Sequence, residues 1–135
     1  VHISTLDPEG VPCVRGVDYA ASPDKDNVIY FITHKDSRKV QQIKSNAAIG
    51  FVIDHDCQTW ADLQQVKYIK GTGVASFIEN PQEMQQVHAL MMQKFPFLEN
   101  LPGDPQDFVA VKVELKDVLV TDNTIAFGNT ETVSY

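Results

Sequence analysis

Apolar and polar residues alternate along most of this chain, and a period of two residues is typical of a β-strand with one buried face. Polar turn sequences at 7–10 and 22–27 join the first three such stretches as hairpins. Gly71 and Gly73 indicate a β-bulge where a later strand bends. The pattern predicts strands over residues 2–6, 11–20, 28–33, 48–53, 67–79 and 108–121, with a short return strand over 124–127.

The period changes to that of a helix in two places. A short helix is predicted to begin at Asp36 or Ser37 and to end at Asn46, and a second helix extends from Pro81 to about Phe95. Both helices have a one-sided apolar stripe, made of Val40 and Ile43 in the first and of Met84, Val87, Leu90 and Met91 in the second.

The predicted strands follow one another with loops over 54–65, which has room for one helical turn, and over 96–106. A doubly wound parallel sheet is excluded because it needs a helix between successive strands. The sequence therefore predicts a mainly β fold, an antiparallel barrel with two short helices, whose closure removes unpaired strand edges. We expect one domain over residues 1–135. Because alternation is already present at His2, after a Val1 that is not Met, we expect a further segment before Val1.

Composition narrows the classes of partner. Eighteen acidic and eleven basic residues give a net charge of −7, and a negative field repels a phosphate backbone, so nucleic acid is not an expected partner. No apolar run approaches the roughly 18 residues of a membrane helix, so no membrane partner is expected. Cys13 and Cys57 form no CxxC pair and are too few for a disulfide framework. We expect free thiols and a cytoplasmic protein.

Basic residues crowd the start of the first predicted helix. Lys35, Arg38 and Lys39 lie where the partial positive charge of the helix disfavours cations by about 0.3–1 kcal/mol each. A bound phosphate would reverse this cost through backbone N–H groups, the Ser37 hydroxyl and charge-assisted bonds. The alternative is that the lysines are solvated and pair with Asp36 or another acid.

Arg15 is one of only two arginines and lies inside a predicted strand, on the face opposite Val14. An inward guanidinium needs an anionic partner because its burial alone is costly. The alternative is an outward Arg15 that bridges Asp18 or Asp54.

Four segments together resemble a known family: STLDPEG at 4–10, PCVRGV at 12–17, IYFIT at 29–33 and DSRKVQQI at 36–43. They are similar to the pyridoxamine 5′-phosphate oxidase-like family of FMN-binding split barrels, with weaker similarity up to residue 113. The resemblance implies a homodimer with FMN in clefts between the subunits. By position, the resemblance implies that the FMN phosphate is bound by Arg15, Ser37, Arg38 and Lys39. It further implies that the ribityl chain and ring lie beside Gly16, Val17 and Asp18, and that mostly backbone contacts come from Phe31, Ile32 and Thr33. The partner chain is implied to add contacts around Trp60 and Lys67.

The resemblance implies an FMN-dependent oxidoreductase that acts on a small substrate, with redox chemistry carried by the cofactor and no assigned catalytic side chain. The ending over 127–135 lacks the Arg and His residues that close over the pyridoxal substrate in the family's namesake enzymes, which disfavours vitamin B6 oxidation. Two alternatives stay open: a flavin- or haem-binding or sensing module without turnover, and a reductase that uses the deazaflavin F420.

Other candidate sites have weaker patterns. Residues 54–57 combine two carboxylates, His55 and Cys57, but such spacing supplies only part of a metal-ligand set, so a polar loop is expected and no metal. His88 is expected to be a packed or half-exposed helix residue. Neither Ser nor Cys lies in a nucleophile motif.

Overall fold

One antiparallel sheet of eight strands organises the chain in a computed structural model that describes all 135 residues. The strand order is β2-β1-β5-β6-β7-β4-β3, and β8 pairs with β7 beyond the end of β4. The strands are β1 (His2–Leu6), β2 (Pro12–Gly16), β3 (Ala20–Ala21), β4 (Val28–His34), β5 (Ala48–Ile53), β6 (Lys67–Phe77), β7 (Phe108–Asp122) and β8 (Thr130–Ser134).

Three α-helices interrupt the strands: α1 (Arg38–Ser45), α2 (Trp60–Leu63) and α3 (Pro81–Lys94). The first and third confirm the helices predicted from apolar periodicity, and α2 is the single turn for which the polar loop had room. None of the helices combines the length and the hydropathy of a membrane span.

The predicted bulge is confirmed, since the pairing of β6 with β7 shifts register between Gly71 and Gly73. A Cβ atom on Gly71 would lie 1.9 Å from the carbonyl oxygen of Asp117, so only glycine allows the two backbones to approach this closely.

The fold is the predicted mainly antiparallel split barrel, but its sheet does not close. Strands β2 and β3 lie at the two ends of the strand order, so the predicted removal of edges by closure is wrong. The cause is local: the predicted strand over 11–20 ends at Gly16, and pairing resumes only for Ala20 and Ala21, which contact β4.

Two further predictions need correction. Residues 124–127 form a turn and not a strand, because the Asp122 carboxylate accepts bonds from the backbone and hydroxyl of Thr124 and the chain reverses at Gly128, with φ +77°. The return strand is β8 instead. The predicted loop over 96–106 contains a 3₁₀ helix over Pro96–Asn100, and a second one follows over Pro105–Asp107.

Strand β4 divides the interior into two cores by the alternation of its side chains. Ile29 and Phe31 belong to the core that also contains Ile43 of α1, whereas Val28 and Tyr30 face the core beneath α3. Thr33 continues the first of these faces and is buried. The end of β4 and the beginning of α1 therefore lie on the same side of the sheet as the inner face of β1 and β2.

Candidate functional site

The basic side chains of Arg15, Arg38 and Lys39 gather where β2 meets the beginning of α1, and we call them the cation cluster. Arg15 is close enough to Arg38 and to Lys39 for mutual electrostatic repulsion. Arg15 lies more than 20 positions before the adjacent residues Arg38 and Lys39 in the chain, and the packing of α1 against β1 brings the two regions together.

Arg15 is held by two neutral groups. Its Nη2 donates to Oε1 of Gln42 at 2.9 Å and its Nη1 donates to Oγ1 of Thr5. Val14 is 68% exposed, so the prediction that Arg15 lies on the opposite, inner face is confirmed. The alternative of an outward Arg15 that bridges Asp18 or Asp54 is wrong. Burial lowers the pKa of the Arg15 guanidinium; the nearby Cys13 opposes this by raising the pKa, and the charge of Arg38 lowers it again.

Lys39 is half-buried at the base of the cluster. Its Nζ donates to Oγ1 of Thr33 at 2.9 Å, which is again a neutral acceptor. Burial is the main cause that lowers the pKa of Lys39, and repulsion by Arg15 adds to it. Arg15 and Lys39 are thus both partly buried, and neither has a carboxylate as partner.

Arg38 forms the outer rim, where its side chain is 75% exposed. Its Nη2 lies 3.9 Å from Oδ2 of Asp7, a carboxylate that also accepts bonds from the backbone N–H groups of Glu9 and Val11. At this distance and exposure, the pair leaves Arg38 available to another anion.

Lys35 does not belong to the cluster. Its Nζ lies 2.7 Å from Oδ1 of Asp107, and this hydrogen bond raises the pKa of Lys35 and lowers that of Asp107. For Lys35 the alternative of pairing with an acid is confirmed, with Asp107 as the partner and not Asp36.

The first turn of α1 contains unsatisfied hydrogen-bonding capacity. Ser37 occupies the N-cap position, yet its side chain makes no capping bond, and its Oγ lies 3.5 Å from Oγ1 of Thr33. No acidic residue lies in this first turn. Unpaired N–H groups at a helix start, a hydroxyl with only this long contact and adjacent cations form an arrangement that suits an oxyanion.

The backbone segments predicted to line the cofactor lie next to the cluster. Phe31 is 0% exposed, so its side chain is confined to the core and only its backbone is available. Residues 31–33 pair with β7 on one edge, whereas β3 covers the other edge only at Ile29 and Tyr30. Gly16 ends β2, Val17 donates its N–H to the carbonyl of Val1, and Asp18 is exposed.

Trp60 and Lys67 lie elsewhere in the single chain. Trp60 is 64% exposed and its ring centroid lies 5.5 Å from that of Phe127, while Nζ of Lys67 lies 3.0 Å from Oδ2 of Asp122. Neither residue makes a hydrogen bond or ion pair with the cation cluster.

Sequence reasoning missed three members of the site: Thr5, Gln42 and Cys13. Gln42 donates through Nε2 to Sγ of Cys13 at 3.2 Å and accepts from Thr5 at 2.6 Å. A signal was present, because Thr5 shares the buried face of β1 with Ile3, and a polar residue on a buried face needs a polar partner. Elsewhere, no group of three or more His, Cys, Asp or Glu side chains could hold a metal ion.

Comparison with known proteins places these features in context. The family model for pyridoxamine 5′-phosphate oxidase matches residues 1–122. No curated protein is significantly similar to the chain in sequence. Among solved structures, similarity extends to a haem-binding protein from Mycobacterium smegmatis, with a TM-score of 0.78 and 14% identity over 98% of this chain and 51% of that one.

Two further structures are similar in fold. The haem storage protein HutZ of Vibrio cholerae has a TM-score of 0.71 and 20% identity over 88% of this chain and 83% of that one. A pyridoxamine 5′-phosphate oxidase-like protein from Listeria innocua has a TM-score of 0.67 and 13% identity over 88% of this chain and 85% of that one. The chain spans about half of the Mycobacterium protein, and at these identities the likeness shows the fold alone.

Proposed function

The chain belongs to the pyridoxamine 5′-phosphate oxidase family, and from that premise we propose that it binds FMN through the cation cluster and acts as an FMN-dependent oxidoreductase on a small substrate. The single observation that carries this proposal is the pairing of Arg15 and Lys39 with neutral acceptors only. Two partly buried cations without a carboxylate destabilise the folded chain unless an anion joins them.

The donor set fits a phosphate monoester. Arg15 and Lys39 would supply charge-assisted bonds from the inner side, Arg38 would supply one from the rim, and Ser37 would add a hydroxyl with the first backbone N–H groups of α1. The energetic balance favours binding, since each charge-assisted bond contributes about 1.5–3 kcal/mol, more than the helix-dipole cost per cation.

The ring and ribityl chain would extend from the phosphate along backbone rather than along side chains. Gly16, Val17 and Asp18 would lie on one side, and the free backbone edge of residues 31–33 on the other. Bound FMN would supply two-electron redox chemistry, whereas the protein orients the ring and excludes water.

We further propose that the functional unit is a homodimer. The Trp60 and Phe127 rings contact each other but are 64% exposed each in the single chain. Burial of such a pair is favourable by about 25 cal/mol per Å² of apolar surface. In such a dimer the Trp60 and Lys67 regions would contact the other subunit's cofactor, as the family resemblance implies.

A second candidate function is haem binding without turnover. Similar structures include a haem-binding and a haem storage protein. In this chain, His88 lines a mainly apolar groove of about 310 Å³ beside Met84 and Phe108, and a groove of that character suits a flat apolar ligand with a metal centre.

Parallel titrations of the purified protein with FMN, riboflavin, F420 and haem separate these functions. FMN is expected to bind more tightly than riboflavin, which has the same ring but no phosphate, and sedimentation should give a dimer. Equal affinities for FMN and riboflavin would contradict the phosphate site. Haem uptake that a His88→Ala change abolishes, without flavin binding, would favour the second function.

Turnover needs a separate experiment. If the protein is an oxidoreductase, NADH, NADPH or dithionite should reduce the bound flavin, and an added quinone or nitro compound should reoxidise it rapidly compared with free FMN. Reoxidation no faster than that of free FMN would leave a flavin-binding protein without this activity.

A further inference from the structure

Gln42 is the most unusual buried residue next to the cation cluster. It lies in α1 and is only 4% exposed, although its flexible amide side chain is usually found at the surface. The side chain extends towards β1 and β2, between Arg15, Thr5 and Cys13.

The hydrogen bonds determine the orientation of the Gln42 amide. Arg15 offers only donors, so the oxygen Oε1 must face it, and Oε1 accepts at 2.9 Å from Arg15 and at 2.6 Å from Thr5. The nitrogen Nε2 then points to the Sγ atom of Cys13, 3.2 Å away. Each polar atom of the amide has a partner, so the amide is fixed in place.

The neutral amide has a consequence for charge. A Glu or Asp at this position would also hold the guanidinium, but it would neutralise Arg15 and lower its attraction for an external anion. An amide aligns the same N–H groups and leaves the full positive charge in the site.

We infer that Gln42 is the positioning residue of the anion site, which holds Arg15 in the geometry for phosphate without neutralising it. This inference rests on the proposed phosphate site. In this role the Gln42 side chain acts through its bond to Arg15 and not by its own contact with the ligand.

Two variants test the role. Gln42→Glu keeps the size and adds a negative charge beside Arg15, and we expect it to weaken FMN binding by roughly ten- to a hundred-fold. Gln42→Leu removes the acceptor but leaves Arg15 charged, and we expect a loss of roughly two- to ten-fold. Gln41→Glu is the matched control, because the neighbouring Gln41 is exposed on the same helix; it should leave FMN affinity nearly unchanged.

The readout is the ratio of FMN affinity to riboflavin affinity, measured at several salt concentrations. A change in the fold alters the affinities for FMN and riboflavin alike and leaves their ratio unchanged. Loss of the phosphate contact lowers the affinity for FMN alone and therefore lowers the ratio. The salt dependence of FMN binding should decrease in Gln42→Glu, where one cation is neutralised, and persist in Gln42→Leu. Unchanged ratios in both variants would overturn the inference. If Gln42→Glu fails to fold, the ratio for Gln42→Leu decides alone.

Failure of the proposed function has a different signature. If the unaltered protein binds FMN no better than riboflavin, and 10 mM inorganic phosphate does not raise its melting temperature, the anion site itself is wrong. If the unaltered protein passes both measurements and the Gln42 variants show the same ratio as the unaltered protein, the anion site is supported and the positioning role of Gln42 is wrong.

Discussion

The first turns of α1 and α3 differ in how their backbone N–H groups are capped. At α3 the carboxamide oxygen of Asn80 accepts from the backbone N–H groups of Gln82 and Glu83, at 2.8 and 3.2 Å, and Pro81 occupies the first helical position. At α1 the N-cap Ser37 makes no capping bond and the first turn has no acid.

Charge distinguishes the two helix starts further. The negative charge of Glu83 in the first turn of α3 interacts favourably with the helix dipole. Its Oε1 also lies 3.2 Å from Nζ of Lys112, so each of the two charged groups has a partner of opposite charge. The first two residues of α1 are Arg38 and Lys39, each unfavourable there by about 0.3–1 kcal/mol. The first turn of α3 is stabilised by its own residues, whereas that of α1 is unfavourable to its own helix and would be stabilised by the anion proposed above. This contrast can be tested.

The largest expected effect is the loss of Arg15. Arg15→Met keeps most of the side-chain length without the charge, and FMN affinity should fall by about 1.5–3 kcal/mol because an inner charge-assisted contact is lost. Titration of flavin fluorescence measures it. Lys35→Met is the control, since Lys35 pairs with Asp107 outside the cluster, and it should leave affinity unchanged. Equal losses in the two variants would mean that only net charge matters.

The second-largest effects are expected at the two N-cap residues, Asn80 of α3 and Ser37 of α1. Asn80→Ala should lower the free energy of unfolding by about 0.5–2 kcal/mol, because two capping bonds are lost, and should not alter FMN affinity. Ser37→Ala should leave unfolding nearly unchanged, since no capping bond exists, and should weaken FMN binding by about 0.5–1.5 kcal/mol. Urea unfolding of the cofactor-free protein and FMN titration give the two quantities. A Ser37→Ala change that destabilises as much as Asn80→Ala would remove the contrast.

Most strands and helices could be predicted from the sequence, but many of the contacts between their side chains could not. Alternation identified the strands and the inner face of Arg15, because the burial of a face is recorded locally in every second residue. Lys35 and Asp107 are 72 positions apart and meet only through the pairing of β4 with β7, which no local pattern encodes. Gln42 was missed for the same reason. The turn at 124–127 was predicted as a strand because Ile125 and Phe127 alternate, although both are exposed.

The third effect is a dependence on pH that comes from Lys39. Its lowered pKa means that the unfolded chain keeps this proton to higher pH than the folded chain, so the stability of the cofactor-free protein should rise between the lowered pKa and the ordinary value of 10.5. FMN affinity should fall over the same window as Lys39 loses its charge.

Comparison of the unaltered protein with Lys39→Met isolates this titration from that of other lysines. The variant should lack both the rise in stability and the corresponding loss of affinity. Parallel pH profiles for the two proteins would assign the effect to other groups.

The smallest effect concerns the rim. Arg38 is 75% exposed and only 3.9 Å from Asp7, so solvent screens both its attraction for phosphate and its conflict with the helix dipole. Arg38→Gln should raise the unfolding free energy of the cofactor-free protein by about 0.3–1 kcal/mol at low salt, and less at high salt. Asp7 keeps its bonds from the backbone N–H groups of Glu9 and Val11, so its turn should persist. The loss of FMN affinity should be smaller than for Arg15→Met, because burial and not charge alone determines the strength of each contact. An Arg38→Gln loss equal to that of Arg15→Met would place the phosphate at the rim and not between Arg15 and Lys39.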